Sequence, residues 1–256
     1  LKLAAPIKKA ILSALSELGH VTRERDSAVY RLTLGLAELG YRVKKSFSLT
    51  GVLRPYLEEV RGRVGESASL SIAQNGSLVY VDTAEGPDHM LRTLQHIGKV
   101  APMHSTGAGK VILSSWSDEA VRRHVEEHGL PRFTKHTITE QTGLMQELDE
   151  VRQRGYAFDN EECEVGVKCV AAPVRDFSGA VVAAISVSAP ASRLSSQRAA
   201  VALGTLRDVA RRASRTLGQR VDGGAGAANA GASGDAYAHG TGDDRHTHNR
   251  RGNGGP

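Results

Sequence analysis

Residues 102–110, PMHSTGAGK, place a Gly-Ala-Gly-Lys after a polar turn, the spacing at which a chain begins to wrap phosphate. A phosphate-binding loop also needs a glycine five positions before its last glycine and a Ser or Thr after the lysine, to supply backbone N–H groups and to reach magnesium. Those positions hold His104 and Val111, so no nucleotide is expected. A second candidate, His124-Val125-Glu126-Glu127-His128, matches the His-x-x-Glu-His pattern of inverted zinc peptidases, with two imidazoles one helical turn apart. No third ligand segment accompanies it, and a solvated amphipathic helix explains the same residues. Cys163 and Cys169 form no CxxC pair. A nucleophilic cysteine needs a neighbouring base and a lowered pKa, and a buried small hydrophobe is the commoner role. No enzymatic activity, metal or cofactor is expected. In "AISVS", Ser186 and Ser188 lie two apart and share one face of a strand, either as ligand contacts or as small residues under a packed helix. Asp159-Asn160-Glu161-Glu162 reads by itself as a solvated acidic turn.

The elements that position these residues follow from periodicity. "APIKKAILSALSELGH" puts Ile7, Ile11, Ala14, Leu15 and Leu18 on one helical face, with Pro6 in the first turn and Gly19 as a stop. "HVTRERDSAVYRLT" reads as a hairpin with Arg23 and Arg25 near its tip. Helices are expected from Leu34 to Ser46 and from Thr50 to Arg63, with Pro55 in or near the first turn of the latter or kinking it. Asn75-Gly76 joins two strands, and "MLRTLQ" is expected to add a third. Helices then run from Gly107 to Ser115, from a Ser117 cap to His128, and from Thr139 to Arg154. "GYAFD", "CVAAPVRD" and "AVVAAISVSAP" are strands, the last two joined at Ser178-Gly179, and a long helix follows. Strands and helices in this order suit the α+β class, an antiparallel sheet flanked by helices.

Residues 1–45 carry nine Lys or Arg against four Asp or Glu, which leaves twenty-four of each sign elsewhere, so all the net charge of +5 sits at the start. A basic segment fits nucleic acid, an anionic membrane surface or a merely solvated face. No run reaches the length of a spanning helix, and two cysteines suit a reducing cytoplasm. Residues 221–256 are Gly, Ala, Asn, Asp and His, and are expected to be disordered, with His239, His246 and His248 able at most to chelate a metal weakly. Leu1 stands where a complete chain has Met, as in a fragment.

The loop "PMHSTGAGKVIL", followed in order by "RGYAFDNEECEVGVKCVAAPV" and "AISVS", resembles the effector-binding domain of IclR-type transcriptional regulators. The resemblance covers about residues 5 to 217. It implies a GAF-like fold for residues 49–220 that binds a small organic acid or related metabolite, a connector helix over 34–48, and a winged helix-turn-helix over 1–33 acting on operator DNA as a homodimer or homotetramer. It further implies that Met90, Ala101 and Val167 wall the pocket, that Gly107 and Ala108 offer backbone donors, and that Asp159, Cys169, Ser186 and Ser188 make polar contacts. Ligand would close the Gly107 loop on the Ser186 strand and shift how paired wings are held. Lys8, Lys9, Arg23 and Arg25 would meet phosphates, which supply affinity without sequence information. Against the family pattern, the two helices before the recognition helix are missing, and Pro6, Ile7 and Ala10 stand where base-reading residues are expected. Weak DNA binding, or a metabolite-binding or dimerisation module without it, is the expectation these departures carry.

Overall fold

Asn75 and Gly76 both take positive φ, 49° and 69°, the pairing that lets a two-residue turn follow the twist of its strands. They close β3 (Ser67–Gln74) onto β4 (Ser77–Ala84), the hairpin from which the main sheet grows. In the computed structural model, which describes residues 4–24, 27, 29–46, 48–87 and 95–220, and only the backbone of 41–46, the chain divides into units Leu1–Leu53 and Arg54–Pro256.

The first unit holds α1 (Ala5–Glu17), the hairpin of β1 (Val21–Arg23) and β2 (Tyr30–Leu32), and α2 (Leu34–Ser46). Pro6 sits in the first turn of α1 and Gly19, φ 72°, follows its end. No residue of α1 is buried: Ile7, Ile11 and Leu18 of the apolar stripe remain 45–68% exposed. Arg25 and residues 221–256 lie outside the described residues.

Helix α3 (Leu49–Val64) spans the boundary and runs unbroken through Pro55, which falls in its second turn, next to the first. The helix begins one residue earlier than periodicity indicated, at Leu49, and Pro55, lacking an N–H, cannot donate to the Gly51 carbonyl. In the second unit six antiparallel strands follow the order β5-β4-β3-β8-β7-β6, with β5 at Val100–Ala101, β6 at Ala157–Asn160, β7 at Val167–Arg175 and β8 at Val181–Pro190. The strand expected over "MLRTLQ" falls almost wholly outside the described residues, and β4 pairs with a later edge strand. Met90–Leu94 lie outside the described residues, Gln95 is in no strand, and Gly98, φ 86°, turns the chain so that Val100 and Ala101 form the edge instead.

One face of this sheet carries α4 (Gly107–Leu113) and, behind it, α6 (Gln141–Arg154), with α5 (Asp118–His128) alongside; α7 (Ser196–Thr216) packs on β7 and β8. Leu78, Met103, Val111, Leu113, Leu144 and Leu148 form the core on the α4 side. Val170, Ala172, Val174, Ile185 and Val187 alternate with that side along their strands and are buried on the other. On the surface α3 is tied to α7 by Arg63 to Asp208, 3.4 Å, Arg212 to Glu59, and Tyr56 to Thr216, 2.6 Å. Ser117 caps α5 as expected, but α6 starts at Gln141 without a side-chain cap, because the Thr139 hydroxyl accepts from Arg132 instead.

Helix α4 approaches the loop before it so closely that only one residue type fits at its third position. A Cβ on Gly109 would stand 2.2 Å from the Met103 carbonyl oxygen and 2.5 Å from its Cα, whereas one on Gly107 would meet nothing nearer than 3.3 Å. Gly109→Ala is therefore expected to destabilise the protein by about 3 kcal/mol and Gly107→Ala by about 1 kcal/mol or less. Denaturant unfolding of the two variants distinguishes them; equal losses would mean that backbone contact at Met103 is not the constraint.

Candidate ligand site on the sheet face

Strand register decides which side chains meet. Asp159 on β6, Cys169 on β7 and Ser188 on β8 are successive partners across the sheet, and Ser67 on β3 completes the row. The next row on the same face runs Ala157, Ala171, Ser186 and Ser69. Asp159, Cys169, Ser186, Ser188 and Ser69 are all buried, so this strip of face under α4 is polar and shielded from bulk solvent. Buried polar groups are costly unless hydrogen-bonded, and most of these find partners. The Cys169 thiol lies beside the Ser186 and Ser188 hydroxyls, while Ser69 Oγ donates to Gln95 Oε1 at 2.6 Å. Gln95 Nε2 donates to Ser188 Oγ at 2.7 Å and to Tyr80 OH at 3.4 Å. Ser105 Oγ, at the α4 end, is buried with no hydrogen-bond partner inside 3.5 Å among the described residues and lies beside the Cys163 thiol.

The acidic turn is not solvated. Asp159 Oδ1 accepts from the backbone N–H of Glu162 at 2.8 Å and of Cys163 at 3.4 Å, and Glu161 takes a positive φ of 61° to close the turn. Thr134 and Thr137 hydroxyls donate to the carbonyls of Glu161 and Glu162 at 2.7 and 2.6 Å. Burial pushes the Asp159 carboxyl up to about 7, beside the Glu162 charge, although its N–H donors pull the other way. Burial likewise pushes the Cys169 thiol up to about 12 and raises Cys163 and Tyr80. Neither thiol is thus a poised nucleophile.

The lysine of the Gly-Ala-Gly-Lys sequence does not serve phosphate. Lys110 is 1% exposed and its Nζ lies 2.6 Å from Glu162 Oε1 and 3.1 Å from Glu147 Oε1; Glu147 in turn meets Arg154 at 2.7 Å. Burial raises the Glu162 carboxyl and Lys110 opposes the rise. Thr106 caps α4 by accepting from Gly109 N at 3.2 Å.

Of the residues named from sequence, Gly107, Asp159, Cys169, Ser186 and Ser188 come together: a Cβ on Gly107 would stand 3.5 Å from both Asp159 N and Cys169 Sγ. Ala108 is buried in the core beside them. Val167 lies on the same face at the start of β7, half-buried. Ala101 is buried on β5, where it lines a separate cavity of about 280 Å³ with Met103, His104, His124 and His128. Met90 lies outside the described residues. Ser69, Tyr80 and Gln95 were not singled out from sequence, and Lys110 only as the lysine of the excluded phosphate loop. The serines at 67, 69 and 71 carried a period-two signal that would have found Ser69; Gln95 carried none.

The His124-to-His128 helix is not simply solvated either. His124 is buried, its imidazole pushed down to about 4 by burial, and it stacks on His128 at 4.5 Å between centroids. His128 Nδ1 donates to the His124 carbonyl at 3.1 Å, and no three potential ligands converge on a metal position among the described residues. At the other end of the chain, Lys8 and Lys9 are exposed on α1, and Arg23 Nε holds the hairpin tip by donating to Ser27 O at 2.9 Å.

Residues 42–215 match the family model described as the bacterial transcriptional regulator IclR C-terminal domain. The chain is 36% identical over 208 residues to the HTH-type transcriptional regulator KdgR of Escherichia coli, covering 81% of this chain and 78% of that one. The solved Thermotoga maritima IclR superposes with a TM-score of 0.64 at 30% identity, over 84% of this chain and 87% of that one. A double mutant of the PobR inducer-binding domain from Acinetobacter, solved with 3-hydroxybenzoic acid, gives 0.61 at 29% identity over 66% and 98%.

Asp159 makes stability depend on pH. Its folded value, about 7, lies above the usual 3.8, so the folded state keeps a proton that the unfolded chain has lost; the contribution is full below about pH 4 and is lost as pH rises to about 7. Asp159→Asn, which cannot ionise, is expected to gain stability on the wild type across that window, by up to about 4 kcal/mol. Denaturant unfolding at pH 4.5, 6 and 7.5 reads the difference; a gap independent of pH would show that Asp159 is ionised throughout.

Proposed function

The chain belongs to the IclR family of bacterial transcriptional regulators, and from that premise we propose that its effector is a small organic acid held on the buried polar strip of the sheet. Regulators of this family bind DNA and small-molecule effectors, and none of the matched relatives named above is an enzyme. The observation that carries the site is the concentration of Asp159, Cys169, Ser186 and Ser188 on one buried face, where the fold alone would favour apolar residues. In this reading Gly107 and Ala108 offer backbone N–H groups at the start of α4 and Val167 walls the strip beside them, whereas Ala101 lines the separate cavity at β5 and Met90 lies outside the described residues. The PobR domain solved with 3-hydroxybenzoic acid supports a carboxylic acid. Four per cent aromatic residues leave little stacking surface for a larger polycyclic ligand.

Asp159 adds a condition. An effector carboxylate beside an ionised Asp159 would meet a like charge, so the acid binds with Asp159 protonated and binding takes up a proton above about pH 7. The site therefore selects acids most strongly on the acidic side of neutrality. Effector binding biases the equilibrium between two arrangements of the paired DNA-binding units of a homodimer or homotetramer in the cytoplasm. No helix among the described residues is long and apolar enough to cross a membrane. Lys8 and Lys9 on α1, with Arg23 and Arg25 of the wing, contact operator phosphates. A module without a DNA role is disfavoured by the relatives, whose names are those of transcriptional regulators.

A thermal-shift screen against small carboxylic acids tests the site. A stabilising acid is expected to lose its effect on the Ser186→Ala, Ser188→Ala double variant and to bind more weakly above pH 7.5; a hit that survives both changes would place the ligand elsewhere. For DNA, filter binding across a salt series is expected to show the slope of log K on log salt falling by about 1 for each of Lys8→Ala and Lys9→Ala. An unchanged slope would remove α1 from the phosphate interface.

A further inference from the structure

The polar strip already has an occupant. Gln95 belongs to no strand, yet its carboxamide reaches across three neighbouring strands: it accepts from Ser69 on β3, and donates to Ser188 on β8 and to Tyr80 on β4. A side chain at a chain turn has no need of three buried hydroxyls. The nearer two contacts, 2.6 and 2.7 Å, are short and well formed, and they use the serine expected to receive the effector. We propose that Gln95 is a resident stand-in for the effector: its carboxamide holds the hydroxyls that the effector's head group takes, and the effector binds by displacing it.

The proposal rests on the reading of this face as the effector site and adds to it a residue that sets specificity. A group that replaces a carboxamide must be planar and of the same size, with an acceptor placed for Ser69 and a second polar atom placed for Ser188 and Tyr80. Two head groups meet this, a primary amide and a carboxylate, because serine and tyrosine hydroxyls rotate to donate or accept as the partner requires. A bare hydroxyl or a methyl ester replaces only one of the bonds that the carboxamide makes, which is where discrimination arises. Displacement exchanges one set of hydrogen bonds for another of the same kind, so affinity comes from the rest of the ligand and the contest with Gln95 sets a threshold concentration. Gln95 leads through His96 to Gly98 and the edge strand β5, whose residues pair with Leu78 and Val79. Release of its side chain leaves that turn held by its backbone bonds with Tyr80, Gly98 N to Tyr80 O at 2.8 Å and Tyr80 N to Lys99 O at 3.0 Å, so the exchange stays local to the polar strip.

Chemical rescue tests the proposal without knowledge of the effector. In the full chain, Gln95→Ala opens a space shaped for a carboxamide, and acetamide is the fragment removed. Acetamide is expected to raise the Tm of Gln95→Ala by about 3–6 °C at a tenfold excess over its Kd, while leaving the wild type and a Gln95→Ala, Ser188→Ala variant unmoved; N,N-dimethylacetamide, which cannot donate, is expected to fail. Acetate in the same assay tells whether the site prefers the acid or the amide. Absence of rescue by both probes, or equal response of the wild type, would overturn the proposal. Should Gln95→Ala not fold, the wild type serves: the Gln95 side-chain amide is expected to exchange with solvent more than about tenfold slower than that of an exposed glutamine, and exchange as fast would overturn it. If carboxylic acids stabilise the wild type while Gln95→Ala ignores both probes, the stand-in fails and the effector site remains. Rescue of Gln95→Ala with no acid binding to the wild type leaves the stand-in and removes the effector reading.

Discussion

A single buried ammonium organises the effector-side half of the molecule. Lys110 stands on α4, and its two carboxylate partners come from elsewhere, Glu162 from the turn after β6 and Glu147 from α6. Taking a lysine out of water costs several kcal/mol, and the cost is offset only while both carboxylates stay at bonding distance. The ion cluster therefore behaves as a three-way lock: α4 cannot slide along the sheet, nor the turn swing outward, without stranding a charge in the interior. The lock is joined to the polar strip through Glu162, whose backbone N–H caps Asp159. One residue further along, Cys163 N–H makes the second, longer bond to the same carboxylate. What fixes Lys110 thus also fixes where Asp159 points.

The close approach of α4 to its own loop follows from the same geometry. For Lys110 to reach inward, the helix must lie low over Met103, and that is possible because Gly109 carries no side chain. The Gly-Ala-Gly-Lys string is a steric and electrostatic unit: small residues permit the approach and the lysine secures it. This is why it looks like a phosphate loop yet lacks the outer glycine and the hydroxyl such a loop needs; the backbone is pressed against protein, where a phosphate loop would open to a ligand.

Much of this was legible from the chain. The period-two serines, the Asn75-Gly76 turn and the Gly107 helix start each follow from local chemistry, and the motif order identified the family. The misreadings share a cause. By their own local chemistry Asp159 and Glu162 read as solvated, and His124 as surface, because charge on a short turn or an amphipathic helix is ordinarily exposed; the turn is covered by Thr134 and Thr137 of a segment distant in sequence, whereas His124 packs edge-on against Trp116, just before its own helix. The two-residue edge strand at Val100–Ala101 was not read from sequence because it is too short to carry a periodicity and is set by the turn at Gly98. Gln95 was invisible for a deeper reason: an amide in a loop acquires meaning only from the three strands it spans.

A regulator needs a state that ligand can change, and a fully satisfied core offers none. A ligand shifts an equilibrium only by its differential affinity for two states. Here the sheet face keeps groups that are incompletely matched in the protein alone: Ser105 Oγ and Glu162 Oε2 are buried without a partner among the described residues, and Asp159 sits where its charge is disfavoured. Each costs stability, and apart from the Glu162 carboxylate that holds Lys110 they add nothing to the apolar layers on α4, α6 and α7 that close the fold. The cost is concentrated where a small polar molecule can relieve it. The rigid Lys110 lock on one side and the replaceable Gln95 amide on the other then divide the labour: the lock keeps the site's shape through the change, so that the free energy of binding goes into replacing the amide and not into loosening the helix beside it.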